Sequence, residues 1–277
     1  MIVAVTGGTG LLGPHICEAI ARRHRVEAIS RNGPHRCDLT DPAATRRTLH
    51  DIDASAVVHA AALTDVDQCE RDPNAADRSN RLAVANVVAA LPENVRCIYI
   101  STDQVYPDRP GPHLEGGEAP VNAYGRSKLA GEAEALKHPD TLVLRTNLFG
   151  PSRSVHRRSL SDFVIDGLRG GKPITLFSDS LFSPLHMATL ASLITELLET
   201  EARGVYNLGC RDGTSKAEFG LAIARHLGLS IGSARVGTSE AIPGRAPRPH
   251  DLRMENSRAE ALLGRTLPTL EEEIRKL

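Results

Sequence analysis

The chain has 277 residues, 41% hydrophobic and 24% charged, which allows a substantial core in one large domain or two modest ones. Basic and acidic side chains are interleaved and nearly balanced, with a net charge of -1. A polyanion-binding surface is therefore not expected, no stretch resembles a nucleic-acid module, and the arginine-rich 245–258 stretch reads as a solvated face. The five cysteines (Cys17, Cys37, Cys69, Cys97, Cys210) are far apart and form no C-x-x-C pair, so neither a disulfide framework nor a zinc site is expected. With no secretory leader pattern and no apolar run of membrane-spanning length, the expectation is a soluble cytoplasmic protein without a membrane partner or a metal.

Short β-branched runs alternate with helical patterns through the first 150 residues. Strands are expected at Ile2–Val5, Val26–Ser30, Ala56–His59, Val95–Ser101 and Thr141–Arg145. Helices are expected at Leu12–Arg22, Pro42–Leu49, Ala75–Ala90 and Ala123–Leu136. Near-continuous apolar strands joined by helices imply a parallel sheet covered on both faces. The fold class is thus α/β, a doubly wound parallel sheet of Rossmann type with a smaller C-terminal substrate-binding cap. Beyond Gly150-Pro151 the rhythm loosens. Helices are expected near Phe163–Arg169, Ala191–Leu198, Lys216–Leu227, Ser257–Leu263 and Leu270–Lys276, with one strand at Gly204–Leu208. This divides the chain into a dinucleotide-binding domain, 1–150, completed by about 183–212, and a cap, 151–182 and 213–277, closing over the sheet's carboxyl edge.

Thr6-Gly7-Gly8-Thr9-Gly10-Leu11-Leu12-Gly13 follows the first strand and opens a helix. Gly7 suits a tight turn, Gly10 admits a pyrophosphate close to the backbone, and Gly13 lets helix and strand pack closely. The phosphate would sit on the helix amino end, where free N–H groups and the dipole favour negative charge. NAD-preferring folds usually carry an acid at the tip of the second strand. Here that tip reads Ile29-Ser30-Arg31, and Arg31 suits a 2′-phosphate through charge-assisted hydrogen bonds. Asp38 could accept from the adenine amino group or cap a helix, while Asp41 before Pro42 is the better cap.

Tyr124 and Lys128 are four apart, on one helix face, so phenol and ammonium share a cleft. A phenol of pKa about 10 is a poor acid or base at neutral pH, and a neighbouring cation brings it towards working range. Thr102, at the end of the fourth strand, can offer a hydroxyl to a substrate carbonyl.

Together these segments resemble the extended short-chain dehydrogenase/reductase family, and within it the dTDP-4-dehydrorhamnose reductase branch. The matching stretches are Thr6–Gly13, Cys37–Asp41, Ala60–Asp67 with Glu70, Ile100–Tyr106, Tyr124–Lys128 and Leu144–Thr146. Looser echoes lie at Ser183-Pro184, Gly204–Tyr206 and Arg248-Pro249. The resemblance implies Thr102, Tyr124 and Lys128 as the catalytic triad. It places Gly10, Leu11, Leu12, Asp38, Leu39, Ala61, Ala62, Leu63, Thr64, Tyr124 and Lys128 around the dinucleotide, and Thr102 and Asp103 against the sugar. The implied reaction is reduction of a 4-keto group on a nucleoside-diphosphate-linked deoxysugar with NADP(H), NAD(H) being left open, and a homodimer stays among the open assembly states. Cap cations Arg153, Arg157, Arg158, Arg245 and Arg248, in part within the basic stretch around His156, are candidates for the substrate diphosphate. Two other readings stand beside this one. The first is an NAD-retaining nucleotide-sugar epimerase or dehydratase, against which Arg31 argues. The second is an NADP-binding, non-catalytic regulatory subunit. The chain departs from the branch where a tryptophan follows Arg-Thr: it reads Asn147-Leu148-Phe149 and contains no tryptophan, so an aromatic wall against the sugar is missing.

Overall fold

The computed structural model describes residues 1–154, 157–239 and 244–277, so His156 lies outside the described residues. In chain order the first half comprises β1 (Ile2–Thr6), α1 (Gly13–Ala21), β2 (Arg25–Ser30), β3 (His35–Arg36), α2 (Pro42–Ile52), β4 (Ala56–His59), α3 (Val66–Arg71), α4 (Pro73–Asp77), α5 (Ala83–Ala90), β5 (Arg96–Ile100), α6 (Ala123–Ala135) and β6 (Thr141–Thr146). A seventh strand, Gly204–Leu208, pairs in parallel with β6, and the sheet runs Gly204–Leu208, β6, β5, β4, β1, β2, β3. Every neighbouring pair in it is parallel. Strand order reverses between β1 and β4, where Thr6 lies opposite His59. Helices leave to opposite faces on either side of that point, and the crevice so opened is where open α/β sheets take ligands.

Alternate side chains of β1 enter different cores. Val3 and Val5 join Ile16, Ile98 and Leu142 on one face, while Ala4 joins Ile29, Val57 and Val87 on the other. The first of these cores continues without a break into the cap, through Val164, Phe182, Phe219, Ile223 and Leu270. Shared burial therefore ties the cap to the sheet. The cap also carries short strands that its sequence does not advertise, among them Ile174–Phe177 paired with Ala234–Gly237, and Leu181–Phe182 between Thr214–Ser215 and Asp251–Leu252.

The expected single helix over 75–90 is not continuous. It is built as α4, a π-turn at Arg78–Leu82 and then α5, and the six-residue α3 precedes it where no helix was expected. Asp65 and Asp72 accept from Gln68 N and Ala75 N, fixing the starts of α3 and α4. Asp41 caps α2 through Ala43 N and Ala44 N, as its place before Pro42 suggests.

Behind α6 lies a buried ion pair. Arg145 of β6 binds Glu132 of α6 through Nε at 3.0 Å and Nη2 at 2.6 Å, with both side chains almost wholly buried. Arg145 Nη1 also reaches Glu118 at 2.5 Å and donates to the Tyr106 hydroxyl at 3.1 Å. Ser101 Oγ donates to Glu132 Oε1 at 2.5 Å. Removing one member leaves a buried charge without its partner, which costs about 3–5 kcal/mol. Arg145→Leu is therefore expected to lower unfolding free energy by roughly that amount, read from urea or thermal denaturation. A change below about 1 kcal/mol, the scale of an exposed pair, would show that the pair does not hold α6.

Candidate active site

The glycine loop is built by close contact. Gly7 has φ +70, and a Cβ there would lie 2.8 Å from Ala61 Cα, so both the conformation and the space require glycine. At Gly13 a Cβ would fall 2.2 Å from Gly7 O, which makes this residue the contact between the start of α1 and the loop. Gly10 meets only Gly7 O, at 3.1 Å, leaving its outer side free for a ligand. No side chain caps the amino end of α1, where Leu12 stands as the N-cap. An open cradle beside an uncapped helix amino end fits a dinucleotide pyrophosphate.

At the tip of β2 the Ser30 hydroxyl is buried and has no hydrogen-bond partner among the described residues. Arg31 beside it is exposed, and its charge helps hold Asp38 below the usual carboxylate range, after the Thr40 backbone and hydroxyl donors. Asp38 accepts from Thr40 N at 3.0 Å and Thr40 Oγ1 at 2.8 Å, leaving its other oxygen free of those bonds. A buried unpaired hydroxyl and an exposed guanidinium at one strand tip are suited to a 2′-phosphate.

The 61–64 segment leaves β4 next to this cradle. Ala61 N donates to Thr6 Oγ1 at 3.3 Å. Leu63 is gripped on both sides by fully buried Asn80, whose Oδ1 accepts from Leu63 N at 2.8 Å and whose Nδ2 donates to Leu63 O at 2.9 Å. Asn80 Nδ2 also donates to Ser127 Oγ, on α6, at 2.9 Å. Asn80 sits within the π-turn, a distortion that often marks functional sites. Thr64 is exposed and accepts from Arg157 Nη1 at 3.1 Å.

α6 carries Tyr124 and Lys128. Asn122 caps it through Gly125 N at 2.8 Å, and Glu70 accepts from Ala123 N at 2.7 Å. A Cβ on Gly125 would lie 2.1 Å from Gln104 O, so α6 rests directly on the turn after β5. Tyr124 and Lys128 are both buried and lie on the same side of the helix. Lys128 Nζ donates to Ile100 O at 2.7 Å and stands 4.1 Å from the Tyr99 ring centroid. Burial draws Lys128 down to about 7, against the opposing charge of Glu132. Burial pushes the Tyr124 phenol up, and a hydrogen bond with Thr102 pulls it partly back. The expected downward pull of Lys128 on Tyr124 is thus not what dominates in the free protein, because the ammonium is turned to Ile100 O and the Tyr99 ring.

Thr102 and Asp103 follow β5 closely, and both are buried. The Thr102 proton, expected to serve a substrate carbonyl, points to Asp103 Oδ1 at 3.1 Å, while Thr102 Oγ1 accepts from Gln104 N at 3.2 Å. Asp103 is wholly buried, and its Oδ2 accepts from Asn147 Nδ2 at 2.6 Å. Phe149 is also wholly buried, edge-on to Phe219 and His186. It therefore belongs to the core and does not replace the missing aromatic wall.

The cap contributes cations selectively. Arg153 pairs with Glu18 of α1, and Arg158 with Asp166 of the helix Leu160–Arg169. Each of these two candidates for a substrate diphosphate thus makes an exposed ion pair in the free protein. Arg248 binds Asp67 through both terminal nitrogens, at 3.1 and 3.0 Å. Arg245 lies over the Phe177 ring, and its Nη1 is buried without a hydrogen-bond partner among the described residues. Lys216 opens the helix Lys216–Leu227, 5.8 Å from the Phe182 ring centroid. Burial and the charges of Arg245 and Arg248 draw Lys216 down to about 8, while Asp103 and Asp179 oppose them. Motif reading did not single out Lys216, Asn80 or Asn147.

The chain matches the family model described as RmlD substrate binding domain over residues 1–277. It is 31% identical to dTDP-4-dehydrorhamnose reductase from Mycolicibacterium smegmatis over 89% of this chain and 76% of that protein. It is 30% identical to methionine adenosyltransferase 2 subunit beta from Danio rerio, covering 94% of this chain and 84% of that one. Among solved structures, dTDP-4-dehydrorhamnose reductase from Bacillus anthracis in complex with NADP superposes with a TM-score of 0.91 at 24% identity, covering 99% of this chain and 97% of that one. A whole-chain family match, joined to the seven-stranded parallel sheet, places the chain in the RmlD family of extended short-chain dehydrogenase/reductases.

Proposed function

We propose that the protein reduces a keto group on a nucleoside-diphosphate-linked deoxysugar with NADPH, Tyr124 giving the proton. The carrying observation is the pair of buried side chains Tyr124 and Lys128, four residues apart on one side of α6, where that helix rests on the turn after β5. Gly7, Gly10, Leu11, Leu12 and Gly13 would hold the pyrophosphate, with Asp38, Leu39 and residues 61–64 along the adenosine and nicotinamide arms. Ser30 and Arg31 favour a 2′-phosphate, and hence NADPH over NADH. When bound, the cofactor supplies the hydride.

The side chains do the rest. Desolvation keeps Tyr124 protonated until negative charge develops on the substrate oxygen within hydrogen-bond reach, and transfer is then downhill. Lys128, held by Ile100 O, places a positive charge beside that oxygen. Lys216, Arg245 and Arg248 are near enough for their charges to act on one another and are suited to a diphosphate, the first two making no ion pair with a carboxylate among the described residues. The five free thiols and the absence of any helix long and apolar enough to cross a membrane, among the described residues, support a cytoplasmic location. Likeness to the methionine adenosyltransferase subunit supports a second reading, a dinucleotide-binding regulatory subunit. Turnover separates the two.

NADPH oxidation followed across a panel of 4-keto nucleotide sugars tests the reading, and no turnover on any of them would favour the regulatory role. Tyr124→Phe is expected to lower kcat by about 10²-fold or more while NADPH affinity is kept; near-unchanged turnover would remove Tyr124 as the acid. Arg31→Ala is expected to weaken NADPH binding by about tenfold or more, the loss of charge-assisted hydrogen bonds, and to leave NADH binding unchanged. Equal losses for both cofactors in a fluorescence titration would show that Arg31 does not read the 2′-phosphate.

A further inference from the structure

Among the described cap cations, Arg157 is the one bonded to the 61–64 segment. Its Nη1 donates to Thr64 Oγ1 at 3.1 Å, and the side chain is exposed. A guanidinium carries five N–H donors, and this neutral hydroxyl takes one of them. Among the described residues Arg157 makes no ion pair, whereas Arg153, Arg158 and Arg248 are paired with Glu18, Asp166 and Asp67.

The chain that carries Arg157 is fastened on both sides of the dinucleotide cradle. Gly150 O accepts from Ser159 Oγ at 2.6 Å, and Gly150 N donates to Ser161 Oγ at 2.9 Å, so the chain leaves and returns at one point. On the way out, His15 Nε2 donates to Pro151 O at 3.2 Å and Arg153 pairs with Glu18, both partners lying on α1. On the way back, Ser152 Oγ donates to Arg157 O at 2.5 Å, and Arg157 reaches Thr64. Residues Gly10–Gly13, suited to a pyrophosphate, adjoin both attachments. α1 begins at Gly13, and Ala61, three residues before Thr64, packs on Gly7.

We propose that Arg157 clamps the pyrophosphate of the bound dinucleotide from the cap side, exchanging the Thr64 hydroxyl for a phosphate oxygen, and does not hold the substrate diphosphate. This rests on the dinucleotide half of the reading above, and not on the ketosugar. The glycine loop and the helix end supply N–H groups and a partial charge, to which Arg157 adds a whole one. A phosphate oxygen replaces a neutral acceptor with an anionic one, which makes the hydrogen bond roughly twice as strong. The exchange breaks no ion pair. Recruiting Arg153 or Arg158 instead would strand Glu18 or Asp166.

Binding measurements on the whole protein test the clamp without turnover. In a fluorescence titration, Arg157→Ala is expected to weaken NADPH binding by about tenfold, and Arg157→Lys to recover part of the loss. Adenosine 2′-monophosphate, which has the 2′-phosphate but no pyrophosphate, should bind the wild type and Arg157→Ala alike. With NADPH saturating, KM for the ketosugar should stay within about twofold in Arg157→Ala, because the substrate diphosphate lies elsewhere. Unchanged NADPH affinity in Arg157→Ala would overturn the clamp. So would an equal loss for adenosine 2′-monophosphate, or a raised ketosugar KM with NADPH affinity kept. A wild-type protein that binds no NADPH would overturn the dinucleotide reading and the clamp together. One that binds it with the expected loss in Arg157→Ala, yet reduces no ketosugar, would keep the clamp and refute only the ketoreduction.

Discussion

The site hangs on a charge pair that water never reaches. Glu132 and Arg145 are each almost wholly buried, and either charge left there without its partner would be costly. Their paired hydrogen bonds join the middle of α6 to β6, and Ser101, Tyr106 and Glu118 bind into the same knot. Glu132 lies one helical turn beyond Lys128 and two beyond Tyr124. The pair therefore fixes where α6 holds Lys128 and Tyr124 relative to β6. It costs desolvation, and what it gives in exchange is a fixed position rather than net stability.

Burial governs the chemistry as well as the frame. Tyr124 and Asp103 are pushed up, and Lys128 and Lys216 are drawn down. Each shift moves its group towards its neutral form, because low dielectric penalises charge of either sign. The result is a site whose acids hold their protons and whose ammonium groups release theirs easily. An anionic substrate entering beside Lys216 and Arg245 would move the balance back towards charge on the lysines.

The parallel sheet could be read from the sequence because its strands are apolar on both faces, and β4 and the strand Gly204–Leu208 fall where the pattern puts them. Tyr124, Lys128 and the glycine loop could be read because their chemistry depends on spacing within one element. Asn147 could not, since it meets Asp103 only through the path of the chain after β6. Arg153 and Arg158 look like equals of Arg245 in sequence, and only the folded chain shows that Glu18 and Asp166 occupy them. The direction of the Thr102 proton was hidden for a different reason: a hydroxyl's role follows from its neighbours, here Asp103 and Gln104 N.

The π-turn at Arg78–Leu82 carries one more residue in its ring than an α-helical turn. Each residue of an α-helix advances about 100° around the axis, so this extra one rotates everything after it by roughly that angle. Ala83, Val84 and Val87 face the sheet cores in the rotated frame, while α4 before the turn packs Ala76 against Tyr124 and Cys69. One helical run thus serves two differently oriented surfaces, with Asn80 at the seam bonded to both Leu63 and Ser127. In terms of sequence length, the register of the whole second core is set by a single inserted position. The segment can exchange side chains freely on its outer face, but it cannot change its residue count by one without turning either the cofactor side or the core side away from its partner.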